Sequence, residues 1–182
     1  MGARGFFWFK AVVFALLAWN SAVFVYSGTL SEGVDSLAWL ILLALFELET
    51  GGGAGLQRGA PIIRGVRLAA ATAIPVAAAG YIVDREWLDA INSVLWIAVV
   101  ALLETQLRFP DAATRYRPWM TAAAAGLYSG LASVALAWLW QADWFSAYDA
   151  ALWLLAFATI EINVIQVVRR WPAAARAAAS RI

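Results

Sequence analysis

Long apolar runs separated by short polar links make up nearly the whole chain, at 6–27, 30–50, 64–83, 87–107, 119–140 and 144–168. Each run is close to the ~20 residues that a helix needs to cross hydrocarbon. The pattern predicts six transmembrane helices and leaves no room for a soluble domain.

The polar positions inside these runs recur at a fixed interval. Asp35, Asn92 and Asp149 stand 57 residues apart, and so do Trp39, Trp96, Trp153 and Glu47, Glu104, Glu161. A period of this length is the mark of an internal repeat. It predicts an all-α membrane protein of three tandem antiparallel hairpins, roughly 6–57, 64–114 and 119–171, which can pack about a pseudo-threefold axis.

Each unit reads as a helix going out, a short acidic turn and a helix coming back. The returning helices carry the similarity. The outgoing ones agree mainly in small residues and in an aromatic near the outer end, Phe24, Tyr81 and Trp138. Thr29, Glu86 and Asp143 precede the returning helices, where a side-chain oxygen can cap free amides, and Thr and Asp suit that position better than Glu. Between units, Gly51 to Gly55 reads as a plain linker, and Pro110 and Pro118 bracket a stiffer basic loop.

At about 100° per residue the first returning helix has two distinct faces. Ser36, Leu40, Ala44 and Glu47 form a small, polar one, with Ala101 and Ala158 as counterparts of Ala44. Small residues let membrane helices approach closely, so this face is expected to point into the bundle. The other face begins at Asp35, Asn92 and Asp149, runs through the tryptophans and ends at Glu49, Gln106 and Asn163. Each returning helix is thus polar near both ends.

Composition agrees with the pattern. The 182 residues are 64% hydrophobic and 14% charged. Cysteine and histidine are both absent, which removes disulfides, thiolate nucleophiles, a histidine base and Cys/His metal sites. No phosphate-binding or nucleophile motif is present, so neither enzyme, cofactor nor metal is expected.

The distribution of charge orients the chain. Arg4 and Lys10 stand at the start of the first run; Arg58, Arg64 and Arg67 follow the second; Arg108, Arg115 and Arg117 follow the fourth; and Arg169, Arg170, Arg176 and Arg181 follow the last. The positive-inside rule then puts both termini in the cytoplasm, with a bacterial inner membrane as the setting. Arg85 alone falls on the outer side, among Glu32, Asp84, Glu86, Asp89 and Asp143. Because the basic residues match the topology, none is left over for nucleic acid. The stretch 4–26 has the makeup of a signal peptide, but it is half of the first repeat, and its removal would leave an unpaired helix.

An ionisable group in a bilayer is costly and marks a site by default. The repeated glutamates come about seventeen residues into the returning helices, roughly 25 Å along, near the cytoplasmic boundary. Glu47, Glu104 and Glu161 are therefore candidates for a carboxylate ring or an inter-hairpin lock. An Asp or Asn one turn before each tryptophan can accept its indole N–H, and Asn20 reads as an interhelical donor. Two functions remain. The favoured one is a non-catalytic accessory or assembly subunit that meets a membrane-protein partner, or a second copy, in the lipid bilayer; the other is a small cation or proton channel or transporter using the carboxylates.

Overall fold

The computed structural model describes residues 3–50 and 60–158. Every element among them is helical: α1 (Ala3–Ser27), α2 (Leu30–Thr50), α3 (Ala60–Asp84), α4 (Trp87–Arg108), α5 (Pro110–Arg115), α6 (Arg117–Trp140) and α7 (Trp144–Ala158). Helix is the natural outcome for such sequences, because inside hydrocarbon each backbone N–H and C=O needs a partner within its own segment.

Four stretches are long and apolar enough to cross a membrane: Phe7–Ser27, Pro61–Asp84, Trp87–Gln106 and Arg117–Trp140. Their outward surfaces carry large apolar side chains, among them Trp19, Leu68, Val76 and Leu136, as expected of helices facing lipid. This is a membrane-embedded protein. At 21 residues α2 is shorter than its 25-residue neighbours α1 and α3, and Glu32, Asp35, Glu47 and Glu49 make it more acidic. The described part of α7 is shorter, and Glu161 and Asn163 lie outside the described residues, as does the side chain of Glu49.

The helices pack in chain order, α1 on α2, α2 on α3, α3 on α4 and α4 on α6. α7 returns to α1, where the rings of Phe24 and Phe145 lie 5.0 Å apart and Asn20 Nδ2 donates to Asp149 Oδ1 at 2.9 Å. Asn20 is thus an interhelical donor, the role its isolated amide suggested. On the opposite flank, Gly80 lets α3 come close to α2, for a Cβ there would collide with Ser31 Oγ.

Three tight turns at one end join α1 to α2, α3 to α4 and α6 to α7. In the second, Arg85 takes a left-handed φ of 63° while Glu86 N–H reaches the Tyr81 carbonyl at 2.9 Å. In the third, Ala142 has φ 61° and Asp143 N–H reaches the Trp138 carbonyl at 2.9 Å. Both are Schellman closures, which satisfy carbonyls that the helix end leaves free. The first turn differs. Gly28 has no room for a Cβ, which would lie 2.6 Å from the Phe24 carbonyl oxygen, and Thr29 and Glu32 form a reciprocal capping box. Asp143 caps Ser146 N–H at 3.1 Å, whereas Glu86 makes no cap.

Two expectations need correction. The segment between Pro110 and Pro118 is not a loop; Pro110 starts the one-and-a-half-turn helix α5, with Asp111 in its first turn and Arg115 in its last, where both complement the helix dipole. The small face of the returning helices points inward over only part of its length, where Ser36, Ser93 and Ala150 are buried. Ala44, Ala101 and Ala158 are exposed, while Trp39, Trp96 and Trp153 are buried.

Candidate functional site

The turn-bearing end of the bundle opens into an acidic cavity with about 50 Å³ of space, enough for a few waters. Its lining follows the sequence interval closely. Fourteen of the fifteen lining residues belong to five sets spaced 57 apart. The outgoing helices contribute Phe24, Tyr81 and Trp138. The returning helices contribute Glu32, Asp89 and Ser146, then Asp35, Asn92 and Asp149, then Ser36 and Ala150, then Trp39, Trp96 and Trp153. Phe157 is the remaining member.

The three tryptophans form the floor. Trp39 lies 6.4 Å from both Trp96 and Trp153, ring centre to ring centre, and Phe157 approaches Trp96 to 4.5 Å. These side chains are at most 8% exposed, so the layer closes the cavity toward the other end.

Above the floor sit polar groups with unfilled hydrogen-bonding capacity. Tyr81 Oη donates to Asp35 Oδ2 at 3.4 Å, but Asp35 Oδ1 has no partner although the residue is only 9% exposed. Asn92 Oδ1, on α4, is likewise buried and unpartnered. Asp149 is held by Asn20, whose own Oδ1 is left over. Trp39 Nε1 lies beside the Asp35 carboxylate but outside hydrogen-bond geometry, so the expected Asp–Trp clasp is not made in the first unit.

Acids predominate at the mouth as well. Glu32 and Asp89 line it, and no lysine or arginine does. Glu86, in the neighbouring turn, has a buried, unpartnered Oε2, and burial together with Glu32 and Asp84 pushes its carboxyl above the usual range. The summed field favours cations. Among the described residues no three carboxylates gather closely enough to hold a metal ion.

Glu47 and Glu104 are elsewhere. Glu47 pairs with Lys10 of α1 at 2.5 Å, and Glu104 with Arg108 of its own helix at 2.7 Å, where Glu104 is exposed. Neither lines the cavity, and half-buried Gln106 does not reach it. The sequence reading named Asp35, Asn92, Asp149 and the tryptophans but missed Glu32 and Asp89 as a register-matched pair. The same interval would have found them. Phe157 carries no such signal, since its counterparts are Leu43 and Val100.

Comparison with family models, curated proteins and solved structures found no match to this chain. The cavity must be read from its own chemistry.

Proposed function

We propose that the chain is a non-catalytic, six-span inner-membrane protein of three hairpin repeats with cytoplasmic termini, and that its acidic cavity is the binding site of a small-cation transporter. One observation carries this reading: carboxylates from α2, α4 and α7 converge on a single cavity without a basic side chain among its lining. Buried charges are normally paired, and a cation from outside would supply the missing charge. Repeat-built transporters place their sites where the repeats meet, and all three intervals of this chain meet at the tryptophan floor. Because that floor is packed, the cavity is better suited to binding from the outer face than to free passage.

Uptake of protons and monovalent cations into liposomes holding the purified chain tests the proposal. The parent is expected to exceed empty liposomes, Asp35→Asn with Asp149→Asn to lower uptake at least about tenfold, and Glu47→Gln with Glu104→Gln to leave most of it. Uptake no greater than in empty liposomes, with a stoichiometric protein co-purifying from mild detergent, would instead establish the accessory or assembly role.

A further inference from the structure

The unfilled groups of the cavity specify more than a positive charge. Asp35 Oδ1 and Asn92 Oδ1 are acceptors, buried and unpartnered, on α2 and α4. They call for a ligand with hydrogens to donate. Directly below them lies the layer of Trp39, Trp96 and Trp153, and a cation beside aromatic faces is attracted by the ring quadrupole.

Hard metal ions fit this surface poorly. Magnesium and calcium demand about six or more oxygen ligands, whereas seven of the fifteen lining side chains here are aromatic. No cluster of three acidic ligands exists among the described residues. Size limits the choice from the other side, since the space of about 50 Å³ is far below the ~300 Å³ at which drug-sized ligands are accommodated.

Resting on the cation-binding reading above, we propose that the ligand is a small protonated amine, ammonium or methylammonium in size, which donates to Asp35 and Asn92 and rests on the tryptophan layer. Asp149 supplies a second negative charge from α7, oriented by the amide of Asn20. A quaternary amine has no hydrogen to donate and is bulkier, so the site excludes it. A bare alkali ion is also drawn to these oxygens, but it finds too few of them to replace its water.

Equilibrium dialysis of the full chain in mild detergent against radiolabelled methylammonium tests this. Saturable binding of one molecule per chain is expected, displaced by ammonium and at least about tenfold more weakly by sodium, potassium or tetramethylammonium. Asp35→Asn should weaken binding at least about tenfold, and Glu104→Gln, at the far end, should leave it unchanged. Tetramethylammonium competing as well as methylammonium would overturn the donor argument. If radioactive sodium or rubidium bound saturably and methylammonium did not, the amine would be wrong and the cation pocket would stand; if no cation bound saturably, both would fall. The competition series on the parent chain decides the matter even where the Asp35 variant does not fold.

Discussion

Single hydroxyls at positions 57 residues apart meet different surroundings. Ser36 Oγ donates to Ser21 Oγ at 2.8 Å, and Ser21 turns to the Ser36 carbonyl, so both are satisfied in a buried contact between α1 and α2. The residue 57 after Ser36 is Ser93, but the residue 57 after Ser21 is Ala78. Ser93 is accordingly 0% exposed with an unpartnered Oγ. Equal sequences at one position thus have opposite energetic signs. Ser36→Ala should lower stability by about 0.5–1.5 kcal/mol, whereas Ser93→Ala should raise it by about 1 kcal/mol, both read from thermal unfolding in detergent. A destabilised Ser93→Ala would mean that its hydroxyl has a partner after all.

The helix ends were largely legible, because turns are local events. An apolar run ends, a capping residue follows, and a new run begins, as at Thr29 and Asp143. The left-handed residue was not legible, since neither Arg85 nor Ala142 belongs to a type that prefers φ near 60°. They adopt it because the helix ends there and the returning helix must pack back. Relieving that strain gives a test: Ala142→Gly should stabilise the third hairpin by up to about 1 kcal/mol, and Ala142→Val should destabilise it by at least as much, measured as opposite shifts of the unfolding temperature.

Across the whole molecule, the layer of Trp39, Trp96, Trp153 and Phe157 separates the acidic end from the end carrying the Lys10–Glu47 pair. Phe157 touches all three indoles, within 6.4 Å of each. Truncation to alanine would remove one contact from every unit at once, at a cost of about 3–5 kcal/mol by analogy with core phenylalanines. Phe157→Ala is therefore expected to unfold at lower temperature and to leak protons faster in liposomes than the parent does. An unchanged leak would show that the barrier lies elsewhere.

The sequence alone determined the helical class, the hairpin turns at Thr29 and Asp143, and the register that ties Asp35 to Asn92 and Asp149, because each depends on residue type and spacing along one chain. It did not determine which polar end of the returning helices forms the cavity. Periodicity can place Asp35 and Glu47 on a helix, but both ends are polar, and only the packing of the helices decides which is enclosed. At the turn-bearing end the indoles and short turns close round the aspartates. At the other, Lys10 reaches Glu47 and Arg108 reaches Glu104, so these two need no common cavity to satisfy them.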